Sequence, residues 1–496
     1  MILMSEHFPA LVILIPLILA VIAPLIERIR SGLAWGIALI ALSASFLISI
    51  LLTNSVMTEG KLVYSFGGWE APVGIEYVVD YLNVFVLLVV SFIAFAGVIY
   101  AKKSVEKEID RHKWGVFYSI YLLFIAGLMG IVMTGDIFNL YVFIEISSLA
   151  GYAIIASGRK RGAFLASFNY LILGTIGASF ILIGIGYLYM VTGTLNMADL
   201  GQRLPALYDS TVVRTAFAFF TVGISIKMAI FPLHIWLPDA YSKSPSIVSA
   251  VMAATSTKVF AYVLIRVMFT VFGVEFNINV VPVTKILLVL SAVAIIAGSA
   301  LAIAQTNIKR MLAYSSVGQI GYILLGVAIA NEVSMSGSLL HILNHALMKC
   351  SLFFVVGALV YRIGLEDISA FEGMGKKMPF TMAAFTIGAL SMIGLPLTVG
   401  FISKWYLALG AIKAGLWIIV VVILVSSLLT AIYFWRVVEK IYFKEPSKGT
   451  ADVTEAPLGM VAPTFIMALL CIVFGIFTQL PLSITNKASA MLLGGF

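Results

Sequence analysis

Apolar runs of about 20 residues recur from one end of this chain to the other, each long enough to cross a hydrocarbon core of about 30 Å. Polar backbone left unbonded in such a core is costly, so each run is read as a membrane-spanning helix. Composition agrees. Of the 496 residues, 61% are hydrophobic and 11% charged, with a mean hydropathy of +1.09, whereas soluble domains carry about 25% charged residues. The longest polar stretch, 444–455, is loop-sized. A separate soluble domain has no place here, and chemistry on a soluble substrate falls to a partner chain.

Fourteen spans are expected, so the fold class is all-α, polytopic. The first seven cover 8–26, 33–53, 81–101, 115–134, 138–157, 164–192 and 212–232. The others cover 246–272, 282–304, 309–330, 335–361, 379–410, 415–443 and 459–481. The segment 1–23 resembles a signal peptide in its apolar run. It has no basic leader, and Glu6 and His7 precede the run, so it reads as the first span. Of 31 Lys and Arg residues, twenty fall in loops after odd-numbered spans, six after even-numbered spans or in the tail, and five within spans. Basic loops stay in the cytoplasm, which puts both termini outside. That asymmetry also assigns the net charge of +8 to membrane topology, so no nucleic-acid partner is expected.

One outer loop differs in kind. Residues 64–80 place aromatic and β-branched side chains around Gly67-Gly68 and Ala71-Pro72, which predicts an extended hairpin, with Trp69 at the interface. Cys350 and Cys471 lie in separate apolar runs without a CxxC or Cys/His cluster, so they read as buried small hydrophobes and no metal or cofactor is expected.

A charge near the bilayer centre costs roughly 2.5–3.5 kcal/mol on insertion scales, so ionisable residues inside spans are candidate functional groups. Glu145 lies in mid-span, followed by Ser147 and Ser148. Lys227 precedes Pro232 and Pro238, and proline removes a backbone donor, so the seventh span is expected to break there. Burial favours a neutral amine and a nearby carboxylate favours the ammonium; a lysine placed between the two can carry protons. Lys258 follows Thr255, Ser256 and Thr257, whose hydroxyls suit water. His341, His345 and Lys349 are spaced by four and share one helix face, as a hydrogen-bonded relay requires. The H-x-x-x-H spacing also fits a zinc pair, but no Glu follows the first His and no third ligand is evident. Lys404 follows Gly394, Pro396 and Gly400, a second break. Structural ion pairs and satisfied core histidines are the bland alternatives for these residues. Arg266, nearer a span end, is expected to snorkel to the interface. Asp136, Asp199 and Asp239 read as caps or loop charges.

The two broken spans, seventh and twelfth, occupy matching places in spans 4–8 and 9–13. Paired interrupted helices point to inverted repeats and a path at the membrane midplane. The expected divisions are an N-terminal part (1–110), a first repeat (111–275), a second repeat (276–445) and a C-terminal helix (446–496).

At these residues the chain resembles the antiporter-like subunits shared by complex I, membrane-bound hydrogenases and Mrp-type Na+/H+ antiporters. The resemblance spans nearly the whole chain. It rests on GDIFNLYVFIE (135–145), KMAIFPLHIWLPDAY (227–241), NIKRMLAYSSVGQIGY (307–322), HILNHALMK (341–349) and GLP (394–396) followed by Lys404. SFGGWEAPVGI (65–75) and VTGTLNMADL (191–200) are similar to the D-type subunits of Mrp antiporters, whereas the histidine stripe is closer to complex I and hydrogenase relatives. The resemblance implies fourteen helices, two inverted five-helix repeats and a hydrated axis of charged residues. It implies that Glu145 and Lys227 form a coupling ion pair, that Lys258 connects the repeats, and that Lys404 is the terminal proton carrier, with His341, His345 and Lys349 extending the relay. It further implies a prokaryotic plasma membrane, integral membrane partner subunits, protons and Na+ as the ions moved, and no lateral helix after residue 481. The alternative parent is a redox-driven pump with a peripheral redox module.

Overall fold

The structure, a computed structural model, describes residues 6–446 and 452–494. Part of the polar stretch at 444–455 and the first five residues of the segment 1–23 therefore lie outside the described residues. Thirteen helices among those described are long and apolar enough to cross a membrane. They are Phe8–Ile29, Leu33–Glu59, Tyr81–Glu108, Arg111–Met133, Ile137–Ala156, Ala163–Thr192, Thr211–Met228, Ser246–Val271, Val283–Ile303, Ile308–Ile329, Glu332–Ile363, Trp417–Phe443 and Leu458–Ile476. The fourteenth, twelfth in order, is cut into Pro379–Ile393 and Val399–Lys413, each too short to span alone. The chain is thus a polytopic helical membrane protein. Spans are numbered one to fourteen below.

Spans 4–8 and 9–13 match element by element. Spans 4, 5 and 6 have helices of 20, 20 and 30 residues, and spans 9, 10 and 11 have 21, 22 and 32. Spans 7 and 12 are both interrupted. Asp136, capping span 5, bridges to Asn196 beyond span 6; Asn307, capping span 10, bridges to Asp367 beyond span 11. Five spans is an odd number, so the second block enters from the opposite face and is inverted. Span 8 is wholly buried and span 11 nearly so, which puts the centre of the molecule where the two blocks meet.

The expected hairpin forms. β1 (Leu62–Ser65) and β2 (Glu76–Val79) pair antiparallel, Leu62 opposite Val79, joined through a turn at Phe66–Gly68. Its membrane side is called the hairpin face, and the opposite side, rich in Lys and Arg, the basic face. One boundary needs correction. The last span, expected at 459–481, ends at Ile476, and the segment expected as tail is a helix, Gln479–Leu493. Six polar residues interrupt its apolar sequence, yet it packs on spans 3 and 11, and Ser489 donates to the Glu332 carbonyl at 2.8 Å.

Candidate functional site: a buried line of ionisable side chains

Span 7 stops at Met228 because Ala229 turns left-handed (φ 60°), closing the helix with Ile230 N–H to Ser225 C=O and Ala229 N–H to Ile226 C=O. This is a Schellman ending with alanine where glycine is usual; a left-handed non-glycine residue costs about 1–2 kcal/mol. The chain runs through Phe231-Pro232 and resumes as Trp236–Lys243, with Pro238 in the first turn where its missing N–H is tolerated. Trp236 reaches back, its Nε1 donating to the Ile226 carbonyl at 2.9 Å.

Lys227, on the last turn before this break, is completely buried. Its Nζ donates to Ser148 Oγ at 2.7 Å and Tyr152 Oη at 3.3 Å, both on span 5. The expected direct ion pair with Glu145 is not formed among the described residues. Glu145 lies one turn from Ser148 on the same face, close enough for its charge to bear on Lys227. One of its oxygens, Oε1, is buried without a partner among the described residues, while the side chain as a whole is partly exposed at the wall of the chain. The sequence names both residues but not their rotamers, so the intervening hydroxyls could not be ranked above the carboxylate.

Span 8 carries a third break that neither proline nor glycine announces. Its helix is interrupted at Thr255 (φ −120°, ψ −61°), whose Oγ1 donates to the Val251 carbonyl at 2.7 Å. Such back-bonding competes with the helical ladder and bends helices. Lys258, buried, takes the Ala253 carbonyl beside the break and lies 3.5 Å from Thr257 Oγ1.

Span 11 places His341, His345 and Lys349 at zero exposure. His341 Nε2 lies 3.0 Å from Gln319 Oε1, and Nδ1 lies 2.8 Å from Ser403 Oγ. A carbonyl oxygen only accepts, so Nε2 holds a proton in both charge states. The Ser403 hydroxyl can accept or donate, so Nδ1 is the atom free to gain or lose one. The His345 ring lies 6.0 Å from that of His341, and neither of its nitrogens has a partner among the described residues. The charges that bear on His345 are those of Lys258, Lys349 and His341. Lys349 donates to the Leu312 carbonyl at 2.6 Å and to Ser315 on span 10.

Span 12 ends its first half at Ile393, with Gly394 left-handed (φ 90°) and a second Schellman pair, Leu395 and Gly394 N–H to Leu390 and Ser391 C=O. Lys404, one turn into the second half, crosses the break. Its Nζ donates to the carbonyls of Met392 (3.0 Å) and Ile393 (2.9 Å) and to Ser427 Oγ (3.1 Å), and lies 5.1 Å from the centre of the Tyr322 ring.

Arg266 corrects an expectation. It does not snorkel. It is buried and pairs with Asp80 at 2.9 Å, because Asp80, the N-cap of span 3, faces it across the packed interior. Of the weaker aspartates, Asp136 caps span 5, Asp199 pairs with Arg203 (2.8 Å) and Asp239 pairs with Arg310 (2.6 Å). Asp239 therefore ties the second half of span 7 to span 10. The far end of that half-helix is held by cations as well. Lys160 donates to the Ser242 carbonyl and Lys309 to the Ser244 carbonyl, and both pair with Glu366.

Fold and site together define a class: polytopic membrane proteins that bury lysines and histidines within two inverted five-span blocks. Residues 134–430 match the family described as NADH:quinone oxidoreductase/Mrp antiporter, transmembrane, and the chain belongs to that family. It is 46% identical over 494 residues to the N subunit of the NADH-quinone oxidoreductase of Desulforudis audaxviator, covering 96% of this chain and 97% of that one. It is 31% identical over 489 residues to the D-type subunit of the Na(+)/H(+) antiporter of Bacillus subtilis, covering 98% and 97%. Among solved structures it is similar to a chain of the membrane-bound sulfane sulfur reductase, an archaeal respiratory membrane complex, with TM-score 0.90, 32% identity and coverage of 98% and 97%. A chain of the Mrp complex from Dietzia sp. DQ12-45-1b gives TM-score 0.89 at 24% identity, with coverage of 99% and 98%, a likeness of fold. The resemblance read from the motifs is borne out at the level of the family.

Proposed function

We propose that this chain is the proton-translocating membrane subunit of a multi-subunit cation/proton antiporter that exchanges Na+ for H+. Protons move along Glu145, Lys227, Lys258, His345, His341 and Lys404, with Lys349 beside the line. One observation carries the reading. Three buried lysines each sit at a helix interruption, and two of them hold carbonyls beside it. Packing alone requires neither the interruptions nor their repetition, and irregular backbone at membrane depth is tolerated where it is buried or lines a cavity. Glu145, partly exposed at bilayer depth, calls for a cover, and the relatives' names as subunits support a neighbouring membrane chain there. In this reading the basic face is cytoplasmic, both termini are outside, the membrane is a prokaryotic plasma membrane, and the repeats extend over 111–275 and 276–445.

In mechanism, Glu145 and Lys227 are bistable. Approach of the carboxylate stabilises the ammonium; withdrawal releases its proton toward Lys258. His341 then passes a proton through Nδ1 and Ser403 toward Lys404. A second reading, the pumping arm of a redox complex, is favoured by the 46% identical relative's name. The test is to purify the tagged complex, identify its partners and measure Na+-dependent proton flux in vesicles. Lys227→Ala is expected to abolish coupled flux with assembly intact, and normal flux in that variant would sink the proposal. Iron–sulfur or nickel subunits among the partners would replace the antiporter parent with the redox one.

A further inference from the structure

The inverted blocks build a cavity at the far end of their fifth helix, one at each membrane face. On the hairpin face a cavity of about 310 Å³ is lined by Lys61, Asp80, Asn83, Thr134, Arg266 and Thr270, among others. On the basic face a cavity of about 360 Å³ is lined by Thr306, Asp367, Ile368, Ser369, Arg436 and Lys440. The two correspond through the repeat. Each has a threonine just beyond the first helix of its block, and an arginine of the fifth helix followed four residues later by a second lining residue. The arginines differ in what holds them. Arg436 donates to the carbonyls of Ile303 and Gln305. Arg266 has a carboxylate, and span 3, outside the repeat, supplies it.

Four of the five N–H groups of Arg266 have hydrogen-bond acceptors. Nη2 donates to Asp80 Oδ1 (2.9 Å) and Asn83 Oδ1 (2.6 Å), Nη1 to Thr270 Oγ1 (3.3 Å) and Nε to Tyr262 Oη (3.3 Å), and Nη1 also lies 2.9 Å from Asp80 Oδ2 as an ion pair. Tyr262 in turn donates to the Val132 carbonyl at 2.8 Å and accepts from Asn83 at 3.0 Å. Lys258, Tyr262 and Arg266 are spaced by four and share one face of span 8. The stripe runs from the midplane lysine to the cavity floor. Immediately beyond Arg266 the helix widens into a π turn, Val267–Val271, a feature frequent at functional sites. A buried ion pair adds little net stability over apolar packing, so this one calls for another purpose.

We propose that the hairpin-face cavity is a water-filled mouth of the ion path, opening to Lys258 past Tyr262, and that the Asp80–Arg266 pair is its plug. Closed, the guanidinium keeps water and hydrated cations from the lysine. When it leaves Tyr262 and Asn83, water reaches Lys258 and can accept a proton from its ammonium. The proposal rests on the proton-line reading above, and its test is independent of transport.

Cys350 and Cys471 are both buried, so introduced cysteines can be followed with a membrane-impermeant cationic thiosulfonate on the intact complex, in sealed vesicles of either orientation. Thr270→Cys is expected to label from the hairpin face and Lys258→Cys to resist. Adding Asp80→Asn, which removes the charge but keeps a good helix cap, is expected to speed labelling of Lys258→Cys from that face at least tenfold. Arg266→Lys, which loses the five-donor fork, is the second variant and should do the same. An unreactive Thr270→Cys, or a Lys258→Cys rate unmoved by either variant in assembled complex, overturns the proposal. If labelling behaves as expected while Lys227→Ala keeps normal proton flux, the mouth stands and the proton-line reading falls.

Discussion

The breaks in spans 7 and 12 look alike in sequence and are held together differently. In span 7 the lysine precedes the break and turns away from it, to the hydroxyls of Ser148 and Tyr152. The Ile226 carbonyl at the break goes to an uncharged donor, the Trp236 indole. In span 12 the lysine follows the break and is itself the clasp, its ammonium on the Met392 and Ile393 carbonyls. An ammonium has three donors. Lys404 uses all three, whereas Lys227 has two side-chain acceptors. Loss of a proton from Lys404 therefore withdraws a donor from the break, while Lys227 can change charge with its break still tied. Geometry is coupled to charge at the break of span 12 and insulated from it at the break of span 7.

The largest expected effect separates the two lysines. Lys404→Met leaves one buried and one part-buried carbonyl without their donor, the buried one at about 1–3 kcal/mol. Lys227→Met leaves hydroxyls that can turn to carbonyls of their own helix. Thermal unfolding of the purified complex should show a clear loss for the first and a change within about 1 kcal/mol for the second. Equal losses would erase the distinction. A smaller effect tests the indole. Trp236→Phe removes one hydrogen bond, worth about 0.5–1.5 kcal/mol, and should speed amide exchange around 229–235 without touching 394–398.

The smallest effect concerns the far ends of the half-helices. The second half of span 12 is held there by a neutral amide, Asn331 Nδ2 to the Gly410 carbonyl at 2.9 Å. That of span 7 is held by titrating groups. Burial and then the nearby Lys309 push Lys160, in the loop after span 5, down to about 8, against the pull of Glu366. In the same cluster, burial works to raise Glu366, but Lys309 and Lys160 outweigh it and hold its carboxyl below the usual range. A lysine depressed in the folded state binds its proton less well there than when unfolded. Its contribution is therefore unfavourable below about pH 8 and is relieved as pH rises from there toward the ordinary lysine value of about 10.4. Amine acylation followed by mass spectrometry should show Lys160 reacting with a midpoint near pH 8, about two units below that of an ordinary exposed lysine. A shared midpoint would remove the contrast between the two ends.

Much of this was legible in one dimension. Long apolar runs fix the spans, and Lys227, Lys258 and Lys404 stand out because charge inside such runs is costly. Pro232 and Gly394 mark two breaks, although each helix ends just ahead of its proline, where a left-handed residue is possible. What was hidden depends on three dimensions. The break at Thr255 coincides with the threonine hydroxyl bonding its own helix and with the Lys258 ammonium taking the Ala253 carbonyl beside it, pairings that sequence does not dictate. Arg266 lies close enough to a span end to suggest the interface, and its partner Asp80 is 186 residues away. The helix Gln479–Leu493 interleaves polar with apolar residues, and the surface that spans 3 and 11 offer it is not visible in one dimension.

In the proposed line Lys258 is the member that joins the two blocks, so the proposal turns on it most directly. The decisive measurement is proton uptake by sealed vesicles containing the intact complex with Lys258→Met, compared with the native chain at equal assembly. A continuous line predicts that coupled proton movement is lost and that partner composition is unchanged. Native rates of proton movement in that variant would contradict a single path through the centre of the molecule.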